Sequence, residues 1–407
     1  MRAILIRDDK GPAENMYIEE VPTPKPGAGE VLVKIKAFGL NRMDISQREG
    51  FYPPPAGSSS ILGVEFSGTI ADLGESVSGW EVNDEVLGLA GGGAYAEFIS
   101  LPATHIISKP SHLNWAEAAS VPENFLTAFQ ALFLCAEFKK GDDVLVHAGA
   151  SGVGVAAIQL ARVYGARTVT ATASTQEKLD WLLNLPNGAT HSANYKTEDF
   201  STVVKQATNN KGVDVVIDFV GQSHWKRNID SLAMDGRMTI LALLSGSNIA
   251  SVDLKPLLYK RLRIQGSTLR SRSLSYQADL IARFRREILD NITGENGSGP
   301  VRVFIHKVYP WTEIQDAHRE MEANANSGKI VVESISRSQS SRAPLSTVPE
   351  ALTVDSSFQV PDHLQVVCHR KSAPHRLSSQ VASDGFNHRI PALSFYLIIF
   401  DHTDIQH

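Results

Sequence analysis

Cysteine is nearly absent from this chain: of 407 residues only Cys135 and Cys368 carry a thiol. Two cysteines build neither a disulfide framework nor a four-cysteine zinc site within one chain, and they suit a reducing compartment. Long hydrophobic runs are missing as well, since none approaches the ~20 residues that a membrane-spanning helix needs. The opening residues 1–6 are interrupted by Arg7-Asp-Asp-Lys10 too soon to form the apolar stretch of a signal peptide. A cytoplasmic protein with no membrane partner is expected. Charge of one sign is also in short supply: 39 Lys and Arg stand against 44 Asp and Glu, a net of −5 spread along the chain. No basic face gathers phosphate backbones, so nucleic acid is not an expected partner. What remains is ordinary globular composition, 43% hydrophobic and 20% charged, with length for two or three domains and a sizeable core.

From the start to about residue 122 short β-like runs alternate with Gly and Pro: Val31-Leu-Val-Lys-Ile-Lys36, Gly63-Val-Glu-Phe-Ser-Gly68 and Gly93-Ala-Tyr-Ala-Glu-Phe-Ile99. Residues 117–132 read as helical pieces broken at Pro122, which marks a domain boundary. From Asp143 strands and helices alternate: strands over 144–148, 168–172, 213–219 and 238–243, with helices over 153–164 and 175–183. Such alternation predicts a parallel, doubly wound sheet. After Arg302 come another strand, an amphipathic helix over 312–324 and a last strand, Lys329-Ile-Val-Val-Glu333, which would return to the first domain. Six of the thirteen histidines lie beyond residue 335, too widely spaced for a metal tract. Residues 336–407 are expected to be a disordered or spurious extension. The apolar run Leu393-Ser-Phe-Tyr-Leu-Ile-Ile-Phe400 within them is assigned no function.

The strongest local signal is His147-Ala-Gly-Ala-Ser-Gly-Val-Gly-Val155, which follows a strand and opens a helix. Gly149, Gly152 and Gly154 leave room for a tight turn and for a pyrophosphate to approach N–H groups at the helix N-terminus. Ser151 stands where the usual motif has its middle glycine. The next strand bears on the choice of dinucleotide. An NAD site wants Asp or Glu there for the ribose 2′-hydroxyl, but Ala171-Thr-Ala-Ser-Thr175 carries no acid. Ser174 and Lys178 suit a 2′-phosphate instead, so NADPH is the expected cofactor. Taken singly, Ser174 reads equally as a helix cap and Lys178 as a surface lysine.

Residues 141–162 closely resemble the signature of the zinc-free quinone oxidoreductases in the medium-chain dehydrogenase/reductase superfamily. Leu40-Asn-Arg-Met-Asp-Ile-Ser-Gln-Arg48, Ile61-Leu-Gly-Val-Glu65, Phe125-Leu-Thr-Ala-Phe-Gln130, Leu232-Ala-Met-Asp-Gly236, Arg270-Ser-Arg272 and the segment 321–331 resemble, within that branch, its p53-inducible type. The resemblance covers some four fifths of the chain. It implies an α/β protein: a GroES-like, partly open β-barrel domain from residues 1–122 and 301–335, and a Rossmann domain from 123–300. In the zinc-dependent branch a cysteine and a histidine hold the metal, whereas this chain has Leu40-Asn-Arg42 and Val64 there, so no metal is expected.

The resemblance also distributes roles. Asn41 and Tyr52 fall beside the nicotinamide, Ser151 and Val153 in the phosphate turn, and Ser174, Lys178 and Tyr195 around the 2′-phosphate. Thr127, Leu243 and Asn326 are further cofactor-contact candidates. Asn41 remains open to reading as a turn residue, Tyr52 as a packed aromatic and Tyr195 as a strand-end core residue. The connection Leu185-Pro-Asn-Gly-Ala-Thr190 is longer than in relatives and would move Tyr195 relative to the cofactor. Cys135 and His147 are read as core residues, and Asp214 and Asp218 as strand-end groups. The implied activity is hydride transfer from NADPH to a small-molecule quinone by a homodimer. The competing readings are an enal or enoyl C=C reductase and a non-catalytic NADPH-binding sensor.

Overall fold

The computed structural model describes residues 1–294 and 297–334, which belong to one compact unit. The extension expected over residues 336–407 lies outside them. The first part of the chain supplies β1 (Arg2–Ile6), β2 (Met16–Glu20), β3 (Glu30–Gly39), helix α1 (Arg42–Arg48), β4 (Glu65–Leu73), β5 (Glu85–Leu89), β6 (Phe98–Pro102) and β7 (Ile106–Ser108). β1 and β2 form a separate antiparallel pair. β3 pairs antiparallel with both β4 and β6, and its register against β4 slips between Leu32 and Val33 and again between Ile35 and Ala37. Each slip bends the strand and adds twist, which curls the sheet. The strand expected over 93–99 begins only at Phe98. Before it the backbone of Gly93, Ala94 and Tyr95 bonds to the carbonyls of Ile61, Gly63 and Leu62, and Gly93 holds φ +103°.

Pro122 divides the helical stretch as its chemistry requires. α2 (Trp115–Ala119) ends before it, and α3 (Pro122–Phe129) takes it at a first-turn position, where a missing N–H costs nothing. The second part supplies β8 (Asp143–Val146), α4 (Gly152–Val163), β9 (Thr168–Ala173), α5 (Gln176–Asn184), β10 (His191–Asn194), β11 (Val213–Asp218), β12 (Leu232–Ile240) and β13 (Arg263–Gly266). They form one parallel sheet in the order β10-β9-β8-β11-β12-β13. Val144, Leu145, Val146, Val215, Val216 and Ile217 are all fully buried, as strands covered on both faces must be. The order reverses between β8 and β11, and a crevice opens at such a switch point.

The chain then returns. β15 (Lys329–Glu333) pairs antiparallel with β3, and β14 (Ile305–Pro310) lies parallel to β15. The helix between them is shorter than the pattern over 312–324 predicts: a single tight turn at Trp311–Glu313 leads into Ile314–Glu322. One hydrophobic cluster joins the two sheets, with Leu87, Leu89 and Ile107 packed in the same group as Phe125, Phe129, Val144 and Val146. Burying a side chain such as Phe129 contributes about 1.5–3 kcal/mol, so this shared core holds the walls of the crevice together.

Candidate active site

Between β8 and α4 the chain turns tightly. Ala148 adopts φ +46°, a left-handed conformation that costs a residue with a Cβ about 1–2 kcal/mol. It is held there because Ser151 N–H donates to the Ala148 carbonyl and Gly149 N–H to the Thr172 carbonyl, both at 2.9 Å. A Cβ on Gly154 would collide with the Ala148 carbonyl oxygen, one on Gly152 would meet the Asn124 amide, and one on Gly149 would lie 3.0 Å from both Ala171 and Leu182. Ser151 caps α4, its Oγ accepting the Gly154 N–H at 3.1 Å. The first turn of α4 thus presents N–H groups at the positive end of the helix dipole, an arrangement suited to phosphate.

This turn borders a cavity of about 400 Å³, lined by Ser151, Gly152 and Val153. Ser174, Lys178, Tyr195 and Asn326 also line it, as do Asn41, Asn124 and Lys329. Gly149 and Gly154 shape the turn without lining the cavity. Thr127, Leu243 and Tyr52 are likewise outside the lining. Thr127 Oγ1 donates to Glu123 Oε1 at 3.0 Å, and half-exposed Leu243 sits against Gly221 between the lining residues Ala242 and Leu244. The Tyr52 ring centroid is 5.7 Å from the Arg270 guanidinium carbon.

Thr175, not Ser174, caps α5, its hydroxyl accepting the Lys178 N–H at 3.3 Å. Lys178 is not a free surface lysine. Its Nζ donates to the carbonyls of Asn324 and Asn326, both at 2.7 Å, and burial lowers its pKa from the ordinary lysine value. It therefore ties α5 to the loop before β15. Tyr195 belongs to both of its readings: it packs against the apolar cluster beside β10 and lines the cavity. It does so with the longer 185–190 connection in place, which Asn187 anchors by donating to the Pro300 carbonyl at 2.7 Å.

Asn41 begins α1, its backbone N–H donating to Asp44 Oδ2 at 2.8 Å. Its side chain is fully engaged: Nδ2 donates to Glu65 Oε1 at 2.9 Å, and Oδ1 accepts from Lys329 Nζ at 2.6 Å. Lys329 also pairs with Glu65 and donates to Asn124 Oδ1 at 3.3 Å. The other Glu65 oxygen accepts the Glu123 N–H at 2.9 Å. Burial, reinforced by the Glu65 charge, pushes the Glu123 carboxyl up to about 8, and burial pushes Asp44 up to about 6. Sequence reasoning missed Lys329, Asn124 and Glu123. The available signal was a lysine opening an otherwise apolar strand, Lys329-Ile-Val-Val.

The remaining expected core residues are structural. His147 is fully buried, with Nδ1 at 2.9 Å from Thr172 Oγ1 and Nε2 at 2.6 Å from Asn228 Oδ1. Burial lowers its pKa to about 3. Asp218 accepts the N–H groups of Val220 and Gly221 at the end of β11, and Asp214 accepts the Asp143 N–H. Cys135 is buried.

The zinc-dependent branch implies a metal near Asn41 and Val64. Among the described residues no group of three or more His, Cys, Asp or Glu is arranged around a metal position. Val64 is buried and apolar, and the Asn41 oxygen already faces the Lys329 ammonium, which would repel a dication. This donor set does not fit zinc. The phosphate turn, by contrast, fits a dinucleotide.

Residues 27–111 match the alcohol dehydrogenase GroES-like domain, and residues 152–285 match the zinc-binding dehydrogenase family. A probable quinone oxidoreductase of Schizosaccharomyces pombe is 32% identical over 339 residues, covering 82% of this chain and 97% of that protein. The synaptic vesicle membrane protein VAT-1 homolog of Rattus norvegicus is 31% identical over 326 residues, covering 76% and 78%. A mycobacterial protein solved in complex with NADPH matches with TM-score 0.72 at 30% identity, covering 82% of this chain and 100% of the other. JamJ enoyl reductase matches with TM-score 0.71 at 27% identity, covering 82% and 98%. Among the described residues no helix is long and apolar enough to cross a membrane. With both halves of the fold matched and a relative aligned over nearly its whole length, the chain belongs to the medium-chain dehydrogenase/reductase superfamily of oxidoreductases.

Proposed function

We propose that this protein is a NADPH-dependent quinone reductase that needs no metal ion, and that it works as a cytoplasmic homodimer. An NAD(P)-dependent oxidoreductase of the medium-chain type must seat a dinucleotide, and the turn from Ala148 to Gly154 would hold its diphosphate. Ser174, Lys178 and Tyr195 would meet the adenosine 2′-phosphate. β9 ends without the acid that a 2′-hydroxyl calls for, which favours NADPH. When bound, the reduced nicotinamide supplies a hydride.

The observation that carries the quinone assignment is the Lys329 ammonium on Asn41, where a metal's donors would have to be. Without a Lewis acid an alcohol or simple carbonyl is poorly activated, whereas an electron-poor quinone accepts hydride unaided. The likeness to a probable quinone oxidoreductase supports the same reading. Asn41 would act by holding its part of the cleft rigid, and Tyr52 by offering a hydroxyl near the acceptor. The likeness to JamJ enoyl reductase favours a second reading, reduction of an activated C=C bond in an enal or enoyl thioester.

The test follows NADPH and NADH oxidation with a naphthoquinone, a phenanthrenequinone and a short-chain enal. Rapid quinone turnover preferring NADPH is expected. Turnover of the enal alone would replace the quinone reading with the second one, and tight NADPH binding without any turnover would indicate a sensor. The homodimer rests on the family resemblance, so light scattering should give a dimer mass; a monomer would refute that part.

A further inference from the structure

Arg270 comes from the segment after β13 but reaches into the first domain. Its Nε donates to the Gly91 carbonyl and its Nη2 to Gln47 Oε1, both at 2.7 Å. Both acceptors are neutral. The residue is only 4% exposed, and its Nη1 is buried with no hydrogen-bond partner. Asp44, Tyr52 and Glu123 interact with it through space. Guanidinium remains charged under these conditions, and leaving one of its donors buried and unmatched is costly.

Its surroundings narrow the choice. The guanidinium lies over the Tyr52 ring, whose hydroxyl was expected beside the nicotinamide. Gln130 Nε2 donates to the Thr268 carbonyl, and Gln130 Oε1 and the Ser267 hydroxyl are also buried without partners. Unmatched groups of both hydrogen-bonding senses therefore collect around the 267–270 segment. Asn41, the other expected donor, has its amide nitrogen on Glu65, whereas Arg270 Nη1 has no partner.

We propose that Arg270 Nη1–H binds one carbonyl oxygen of the acceptor and holds the negative charge that reduction places there. This rests on the quinone reductase reading. With NADPH bound, a hydride from its C–H bond would form an O–H bond at the quinone's other carbonyl oxygen. The quinone would take both electrons, leaving NADP⁺, and become a hydroquinone monoanion with its charge facing Arg270, and a proton from water would complete the hydroquinone. A donor preorganised for a developing oxyanion is worth on the order of 10²-fold in kcat.

The test uses the full chain saturated with NADP⁺ and two probes, neutral 1,4-naphthoquinone and anionic 2-hydroxy-1,4-naphthoquinone, with binding followed by calorimetry. The wild type is expected to bind the anion about tenfold or more tightly than the neutral quinone. Arg270→Gln should abolish that preference and lower kcat about 10²-fold with NADPH affinity retained, while Arg270→Lys, which keeps the charge, should retain most of the preference. A wild type without anion preference, or an Arg270→Gln protein that keeps it, would overturn the proposal and leave Arg270 a domain clamp. Should Arg270→Gln not fold, the wild-type preference and the Lys variant still decide. If no quinone is reduced while Arg270-dependent anion binding persists, the quinone reductase reading falls and the anion site stands.

Discussion

Lys329 and Glu65 form an ion pair between β15 and β4, with the lysine side chain 4% exposed and the glutamate fully buried. The pair joins the returning strand to the first sheet, and Lys329 lines the cavity. Removing one partner of a buried pair leaves an uncompensated charge, at a cost of about 3–5 kcal/mol. Lys329→Met is expected to lose stability on that scale in urea unfolding. Adding Glu65→Gln should return a good part of the loss; a double variant as unstable as the two single losses combined would mean that the residues act independently.

Lys178 is the cation proposed to meet the 2′-phosphate, and its present acceptors are two backbone carbonyls. A charge-assisted hydrogen bond contributes about 1.5–3 kcal/mol. Lys178→Met should therefore weaken NADPH roughly 10–100-fold relative to NADH. The ratio of the two dissociation constants is the informative quantity, because loss of the bridge to the 324–326 loop affects both cofactors alike. An unchanged ratio would remove Lys178 from the phosphate site.

Glu123 makes stability depend on pH. Unfolded, its carboxyl ionises near 4.5; folded, it keeps its proton up to about 8. Between those values the native state binds more protons than the unfolded chain, so raising the pH through this window removes stability. Glu123→Gln lacks the effect. The unfolding free energy of the variant minus that of the wild type should grow from pH 5 to pH 8 and then level off, with a total on the order of a few kcal/mol. A pH-independent difference would show that Glu123 is ionised in the native protein.

Tyr52→Phe keeps the ring against Arg270 and removes only the hydroxyl. Turnover should fall modestly, about two- to tenfold, the scale of one hydrogen bond. Complete loss of turnover with NADPH binding intact would make the hydroxyl indispensable.

Much of the fold was legible along the chain because its signals are local. Strand and helix differ in the period of their apolar residues, so β8, α4, β9 and α5 fall within a residue or two of their expected bounds. The glycines of the phosphate turn were legible for a similar reason: contacts from α4 back to the end of β8 leave no room for a Cβ on Gly154. The 93–99 strand was misjudged because the loop at Ile61–Gly63, distant in sequence, captures the backbone that would have extended it.

Local chemistry thus sufficed for the two-part architecture, the phosphate turn and the acid missing after β9. Tertiary structure alone decided what the polar side chains do there. Lys178 meets Asn324 across 146 residues of sequence, Asn41 meets Lys329 across 288, and Arg270 meets Gly91 across 179. Periodicity and turn chemistry extend over a few residues, whereas a buried ammonium or guanidinium takes whatever partner the packed chain brings within about 3 Å.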